Sequence, residues 1–397
     1  MPKDVVRQFA SLIRCNVDRT NMVLQCHSWQ LAAGHLPECA QLPWMLVPYR
    51  RTCFLHHSII RRGHFFCFLS GRPHKMPLPM GAQGARFIGA IEGGWVVLAL
   101  QQNAGYAVVN LRDNATIPLP EKIVWGGAPV SEPMILRAAA FSCSPTLGRR
   151  CVVASIVSTF ERPFNFRSLV MFSRFGASVN SCSTNFDAED VIYFEGSFYF
   201  VAAMEDMLRC TPQVDHDAPP DEISMQKIYL HFVPLHHEET LCVKGRYLVE
   251  SRGELLMVVR YKTLTYEDTS SFCLFLMVRE LPEGPYFSWQ WVDSLMGRMI
   301  FIGRGCSRSY ELAHFPGCQG VYFIDDDTFN QPCMAAFGFG NGRSYNSHDN
   351  GCWPNPGGTT GECHRHTHLP CGSSTSSMCR VLEFSVMYCF MCCIVYL

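Results

Sequence analysis

Several short stretches of the chain combine residue types that could bind a metal or perform catalysis. The segment CHRHTHLPC (Cys363–Cys371) holds two cysteines and three histidines, and both residue types ligate zinc. Its histidines alternate at every second position, and no second ligand pair follows at the spacing of a zinc finger. A solvated loop is therefore favoured over a zinc site, and the sequence predicts no bound metal and no other cofactor.

Three further motifs are incomplete. GRGCSRS (Gly303–Ser309) has the glycines of a phosphate-binding loop, but it lacks the Gly-Lys-Ser/Thr ending and a following helix. IDDDTF (Ile324–Phe329) offers three carboxylates without the glycine and distal glutamate of a calcium-binding loop. LHHEET (Leu235–Thr240) lacks the H-E-x-x-H spacing of zinc proteases. We expect solvated turns at these places, with Arg304 and Arg308 near the surface.

A catalytic set of Cys306, His314 and Asp325 is conceivable but unsupported. A Cys-His pair acts as a nucleophile and base only when the fold brings the two side chains within hydrogen-bonding distance. Nothing in the spacing of these three residues indicates that arrangement. The sequence predicts no catalytic residues, and we expect a protein that is not an enzyme.

Composition and charge restrict the partners and the compartment. A formal net charge of −1 over 397 residues gives no general attraction to nucleic acid or to anionic membranes. The 21 cysteines are irregularly spaced, and charged residues interrupt every apolar run near the start of the chain, unlike a signal peptide. The apolar run Leu382–Leu397 is shorter than the roughly 20 residues of a membrane-spanning helix. We expect a cytoplasmic or nuclear protein that binds neither nucleic acid nor membrane.

Residues 1–35 predict two amphipathic helices. Apolar residues recur at three- and four-residue spacing from Val5 to Ile13, just after Pro2. Asp18 is expected to be the N-cap of the second helix. That helix should place one set of side chains on a single face: Met22, Val23, Cys26, Trp29 and Ala33. So small a unit cannot bury a core of its own, so it must pack on another element or on a partner.

The rest of the chain predicts an all-β domain. Residues 36–60 are a proline-rich connector, and residues 61–353 alternate short apolar runs with glycine turns. FEGSFYFVAAMEDML (Phe194–Leu208) and VKGRYLVESRGELLMVV (Val243–Val259) repeat one strand–turn–strand theme. Such repeats indicate a β-propeller with six or seven blades between Phe65 and Trp353. An antiparallel sandwich pair is the structural alternative.

Residues 354–397 predict an irregular, divergent tail. Their first part is rich in Gly, Ser, Thr and Cys and has no strand pattern. We expect this tail to be largely disordered or loosely docked, and the last blade to lack a strand.

The order of these segments resembles plant F-box proteins that carry a KIB-type, kelch-like β-propeller, formerly a domain of unknown function. MPKDVVRQFASLI and DRTNMVLQCHSWQLAA are similar to the two parts of an F-box, with Met1 in place of the usual leucine. RFIGAIEGGWVVLAL, DVIYFEGSFYFVAA and RYLVESRGELLMVVRY resemble segments of the propeller. The resemblance covers residues 1–353.

This resemblance implies a substrate-recognition subunit of a Skp-cullin-F-box ubiquitin ligase. The F-box would bind the Skp-type adaptor, and through it a cullin, while the propeller would bind a client protein of unknown identity. The residues expected to contact the adaptor are Met1, Pro2, Val5, Val6, Phe9, Leu12, Ile13, Val23, Cys26 and Trp29. Two alternatives stay open: a propeller interaction module with a degenerate, non-binding F-box, and an enzyme on a kelch-like propeller.

Overall fold

The computed structural model describes residues 2–33, 41–47, 62–83, 85–100, 105–125, 128–162, 165–177, 182–213, 223–232, 240–263, 269–279, 287–323, 351–353 and 394–395. Within these residues, three N-terminal helices precede a series of β-sheets. The predicted order, a small helical part followed by an all-β part, is therefore confirmed.

The helical part contains three helices where the sequence predicts two. They are α1 (Lys3–Leu12), α2 (Asn16–Val23) and α3 (His27–Ala33). The chain turns between Val23 and His27, so the residues expected on one face of a single helix are divided between two helices, with Cys26 in the turn between them. Asp18 lies inside α2 rather than at its N-cap, which is Cys15. The carboxylate of Asp18 instead pairs with Arg72 of the sheet region.

The strands form six sheets. The first sheet contains β1 (Trp44–Val47), β2 (Arg62–Cys67) and β3 (Arg72–Pro77) with the distant β25 (Ile394–Val395), in the order β25-β1-β2-β3. The second contains β4 (Arg86–Ile91), β5 (Trp95–Ala99), β6 (Tyr106–Asn110) and β7 (Thr116–Leu119). The third contains β8 (Lys122–Trp125), β9 (Ala128–Phe141), β10 (Val152–Arg162), β11 (Asn165–Arg174) and β12 (Cys182–Asn185).

The other three sheets are each built from four consecutive strands. The fourth contains β13 (Ala188–Phe194), β14 (Ser197–Ala202), β15 (Met207–Gln213) and β16 (Ser224–Leu230). The fifth contains β17 (Leu241–Ser251), β18 (Glu254–Thr263), β19 (Thr269–Arg279) and β20 (Phe287–Val292). The sixth has the order β22-β21-β23-β24, from β21 (Arg298–Phe301), β22 (Arg308–Glu311), β23 (Gly320–Phe323) and β24 (Gly351–Trp353).

The hydrophobic core lies between neighbouring sheets, and the sheets follow one another in a ring. Phe172 of the third sheet packs against Phe198 and Phe200 of the fourth. Phe68, after β2 of the first sheet, packs edge-on against Phe301 and Tyr322 of the sixth. Each adjacent pair of sheets shares a cluster of buried apolar side chains. This arrangement is a β-propeller and not a sandwich.

The number of complete blades differs from the prediction. The sequence predicts six or seven blades between Phe65 and Trp353, but the described part of that span contains five complete sheets, the second to the sixth. The first sheet depends on β1 and β25, which lie outside the span. Two of the complete sheets have long strands: β9, β10 and β11 have 14, 11 and 10 residues, and β17, β18 and β19 have 11, 10 and 11. Long strands use more of the chain per sheet, so fewer sheets fit between Phe65 and Trp353.

Both ends of the β region depart from expectation. The proline-rich stretch 36–60 contributes β1, while residues 34–40 and 48–61 lie outside the described residues. The last sheet has four strands and is not short of one. Of the tail predicted to be irregular, only residues 394–395 are described, and they pair antiparallel with Trp44 and Met45. The rest of residues 354–397 lies outside the described residues, so their predicted disorder stays a prediction.

Candidate interaction site on the N-terminal helices

Helix α1 carries two apolar stripes, and the first forms the core of the helical unit (residues 2–33). Val6, Ala10 and Ile13 follow one another at helical spacing, so they share a face. Val6 and Ala10 are buried and Ile13 is partly buried. They pack with Met22 of α2 and Ala32 of α3, which are also buried. The helical unit therefore has a small core of its own, in contrast to the sequence-based expectation.

The second stripe of α1 faces solvent. Val5, Phe9 and Leu12 have the same helical spacing as the core residues, and each of them precedes one core residue by one position. We call these three residues the exposed stripe. Phe9 is 53% exposed and Leu12 is 73% exposed, while Val5 is half-buried. Leu31 of α3 is 54% exposed as well. Burying one such side chain stabilises a complex by about 1.5–3 kcal/mol, so this surface is suited to binding an apolar partner.

The structure separates the predicted adaptor-binding residues into core and surface. Val6 is 2% exposed and belongs to the helical core, so it is not available to a partner in this conformation. Ile13, Val23 and Trp29 are partly buried and pack against the same core. Met1 lies outside the described residues.

The remaining predicted contacts are accessible, and two further apolar residues were missed. Pro2 and Cys26 are exposed, and so are Phe9 and Leu12 of the exposed stripe. Leu24 is 72% exposed, and together with Leu31 it was absent from the predicted set. The face predicted for a single second helix includes neither leucine.

The helical unit is attached to the first sheet through α2. The Arg72 guanidinium donates to the Asp18 carboxylate, and Val17 packs on the core shared by the first two sheets. The Cys15 sulfur lies 3.3 Å from Nε2 of His74 on β3. A hydrogen bond from Cys15 lowers the pKa of the Cys67 thiol to about 5. Polar groups therefore define the position of the unit on the propeller.

A loop after β21 crosses the middle of the ring. The backbone N–H of Gly305 donates to Asp190 of β13 at 2.6 Å, and the Arg304 guanidinium donates to the Glu189 carbonyl. A Cβ atom placed on Gly305 would lie 2.6 Å from the carbonyl oxygen of Ala139 in β9. The loop thus touches the innermost region of at least two sheets and fills the space between them.

Asp190 is the most deeply buried carboxylate of this central region. It is 0% exposed and also accepts the backbone N–H of Leu248 in β17 at 2.7 Å. Burial raises its pKa to about 7, although its hydrogen bonds and the charge of Arg304 act in the opposite direction. Its position is that of a structural link between β13, β17 and the central loop.

A second buried network links the fourth and fifth sheets. Arg246 of β17 donates to Glu205 at 2.5 and 2.8 Å and to Glu189 at 2.8 Å. The indole N–H of Trp289 donates to the Glu205 carbonyl at 3.2 Å. Because these charged groups neutralise one another inside the protein, we assign them a structural role rather than acid–base chemistry.

The glycine motif GRGCSRS does not form the surface turn that the sequence predicts. Arg304 is buried at the centre, where its guanidinium lies 5.2 Å from the ring centre of Tyr247. Arg308 is partly exposed and lies 3.7 Å from Glu92. Cys306 is buried, whereas His314 is exposed at the end of a short 3-10 helix. The third member of the conceivable catalytic set, at position 325, lies outside the described residues.

The other motifs fall on residues that the structure does not describe. These are CHRHTHLPC (Cys363–Cys371), IDDDTF (Ile324–Phe329) and all of LHHEET (Leu235–Thr240) except Thr240. Their expected roles as solvated turns and loops stay predictions. Among the described residues, no helix has both the length and the apolar character needed to cross a bilayer.

Comparisons with known proteins identify the β region. The family model described as KIB1-4 beta-propeller matches residues 65–353. No curated protein matches the sequence. Among solved structures, the chain is similar to the PQQ-bound aldose sugar dehydrogenase of Streptomyces coelicolor, at 10% identity and a TM-score of 0.24, over 61% of this chain and 72% of that one. It is also similar to a protein of unknown function from Dyadobacter fermentans, at 13% identity and a TM-score of 0.28, over 65% of this chain and 77% of that one. Neither structural similarity carries an argument about function.

Proposed function

The chain belongs to the KIB1-4 beta-propeller family, and on that premise we propose that it is a protein-interaction module in which the helical unit binds an adaptor and the propeller binds a client. The adaptor is of the Skp type, which links the module to a cullin-based ubiquitin ligase. This assignment of the partner comes from the resemblance of residues 1–33 to an F-box.

The exposed stripe is the observation that carries the proposal. Phe9 and Leu12 project from α1 although the adjacent stripe already provides the core of the helical unit. These two large apolar side chains lie one turn apart, and Leu31 is exposed on α3. In a complex they would become buried, and a few such buried side chains contribute most of the binding energy of a protein–protein interface. Helix α1 therefore has more apolar surface than the core of the helical unit uses.

The propeller contributes a rigid scaffold and no chemistry. The central loop with Gly305 lies against Ala139 of β9 and Asp190 of β13 and covers these strands at the centre of the ring. A client would then bind the outer loops, which commonly carry recognition on rigid β scaffolds. Ubiquitin transfer would be performed by other subunits, and this chain would hold client lysines close to them.

Co-purification of the full-length chain with a Skp-type adaptor tests the proposal. In the double variant Phe9→Glu/Leu12→Glu, two carboxylates replace the apolar anchors, and we expect adaptor affinity to fall roughly a hundredfold or more. The matched control is Gln8→Glu/Ser11→Glu, which adds the same charge at the same spacing, one residue round the helix. The control should retain the adaptor.

Two measurements make the outcome decisive. The thermal midpoint of the double variant should equal that of the wild type, because Phe9 and Leu12 support no core. Retention of the adaptor by the Phe9→Glu/Leu12→Glu variant at wild-type affinity would contradict docking through the exposed stripe.

The second candidate function is a propeller interaction module whose helical unit does not bind the adaptor. Met1 in place of the usual leucine of the resembling motif favours it. In that case the wild-type chain would fail to retain the adaptor, while the purified propeller would still bind a client from the same extract.

A further inference from the structure

Three potential metal ligands from distant parts of the chain meet where the helical unit joins the propeller. Cys15 is the N-cap residue of α2, Cys67 is the last residue of β2, and His74 lies in β3. The two sulfur atoms and a ring nitrogen of the histidine all lie within 4.8 Å of one another. Their exposed fractions are 1%, 0% and 8%, so the cluster is buried.

The hairpin of β2 and β3 places two of these ligands on one face. Cys67 is paired with Arg72, and His74 lies two residues further along β3. Side chains two residues apart on a strand point to the same face of a sheet, and paired residues share that face. Cys15 then approaches this face from the helical unit.

The spacing of the donor atoms suits a tetrahedral ion. With Zn–S near 2.3 Å and Zn–N near 2.0–2.1 Å, a tetrahedral site separates sulfur from nitrogen by about 3.6 Å. The Cys15 sulfur lies 3.3 Å from Nε2 of His74. Two thiolates and one imidazole are donors that favour zinc over calcium or magnesium.

The surroundings hold the imidazole in place. The ring of Trp44 is stacked on that of His74, with ring centres 5.1 Å apart and an angle of 30°. The Ser70 hydroxyl lies 3.1 Å from Nε2, and the turn between the strands is closed by a hydrogen bond from Gly71 N–H to the Cys67 carbonyl. An ion on Nε2 would displace the Ser70 contact with that nitrogen, whereas the stacked Trp44 ring would still hold the imidazole plane.

We propose that Cys15, Cys67 and His74 bind one Zn²⁺ ion that attaches the helical unit to the first sheet. Both sulfurs bind as thiolates, any proton that they still hold is released to solvent, the neutral imidazole supplies Nε2, and a water molecule completes the tetrahedron. Bonds from the ion to Cys15, Cys67 and His74 replace the direct contacts between these side chains, and they connect the start of α2 with β2 and β3. It fixes the orientation of the exposed stripe relative to the propeller.

Zinc analysis of the full-length protein tests the proposal. After incubation with zinc and removal of the excess by gel filtration, elemental analysis should find one zinc ion per wild-type chain. The variants Cys67→Ser and His74→Ala should lose it. Cys210→Ser is the matched control, because Cys210 is also a fully buried cysteine of a β-strand but lies in the fourth sheet, and it should keep the ion.

A second measurement uses the unmodified protein and so does not depend on the folding of any variant. Addition of Co²⁺ to the metal-free wild-type chain should produce a near-ultraviolet absorption band of thiolate-to-cobalt charge transfer. Equal zinc content in wild type and Cys67→Ser would overturn the proposal. So would a wild-type chain that binds no zinc and gives no cobalt band, whether its cysteines are found as free thiols or as a Cys15–Cys67 disulfide.

Discussion

The backbone N–H of Gly305 donates a hydrogen bond of 2.6 Å to the buried carboxylate of Asp190. Asp190 belongs to β13 of the fourth sheet, and Gly305 belongs to the loop that follows β21 of the sixth. The same carboxylate accepts the N–H of Leu248 in the fifth sheet. One side chain thus links three sheets at the centre of the ring.

The first prediction concerns the pH dependence of stability. Burial raises the pKa of Asp190 to about 7 in the folded protein, from 3.8 for an unperturbed aspartate. Because the folded state holds the proton more tightly, the stabilisation is fully present below about pH 4 and is lost as the pH rises through 7. We therefore expect the free energy of unfolding, measured with urea, to fall over this range.

Two variants isolate the contribution of this carboxyl. Asp190→Asn has no titrating group at the site, so its free energy of unfolding should decline less steeply with pH than that of the wild type. Asp113→Asn removes an exposed carboxyl and should preserve the wild-type slope. Identical slopes in the wild type and Asp190→Asn would show that Asp190 does not take up a proton in this range.

The second prediction concerns the close approach of the central loop to β9. Gly305 has φ +70°, and a Cβ atom there would lie 2.6 Å from the Ala139 carbonyl oxygen. Gly196→Ala provides the control, because Gly196 has φ +79° with nothing within 4 Å of the added atom. The control should lose about 1–2 kcal/mol from the left-handed conformation alone. Gly305→Ala should lose clearly more, measured by urea unfolding, and equal losses would contradict the tight packing.

The third prediction compares a buried ion pair with an exposed one. Glu205→Ala removes a partner of Arg246, which is buried, and should cost about 3 kcal/mol of unfolding free energy. Glu311→Ala removes the carboxylate that accepts two hydrogen bonds of 2.7 Å from Arg252 at the surface, and it should cost much less, because solvent screens that pair. Similar costs for the two variants would mean that the buried network contributes no more than a surface pair.

Local features of the propeller could be predicted from the sequence. The run FEGSFYF predicts a hairpin, and the structure places the turn at Glu195 and Gly196, which both have positive φ. The spacing of apolar residues also predicts the apolar face of α1, although the structure divides it into a buried stripe and an exposed stripe. Such features depend on residues that are neighbours in the chain, so local patterns suffice to find them.

Features that depend on distant residues could not be predicted. DVIYF is typical of a buried strand, but nothing in it indicates that Asp190 meets Gly305 and Leu248 at the centre. Cys15 and His74 lie in unrelated segments, and only the docking of α2 on the first sheet brings them together. Spacing predicts that Val6 lies on an apolar face of α1, but it does not show what covers that face. The chain turns after Val23, and residues of α2 and α3 then pack on Val6, so Val6 lies in the helical core and not on the predicted partner surface.

The fourth prediction concerns the end of the described chain. Residues Ile394 and Val395 pair with Met45 and Trp44, and they make β25 the edge strand of the first sheet on the side facing β4. A strand from one end that completes a blade begun at the other closes a propeller ring and removes an exposed edge. A chain that stops after residue 393 should therefore have a lower thermal midpoint and lower soluble yield than the full chain.

A chain that stops after Val395 is the matched control, because it keeps both paired residues and should behave like the full chain. A third variant, Ile394→Pro, keeps the length but removes one backbone donor and fixes φ, so it should resemble the shorter truncation if that donor is used in the pairing. The comparison separates pairing from the mere presence of an apolar end. If the chain ending at residue 393 matches the full chain in thermal midpoint, β25 does not close the ring, and the first sheet must be stable with three strands.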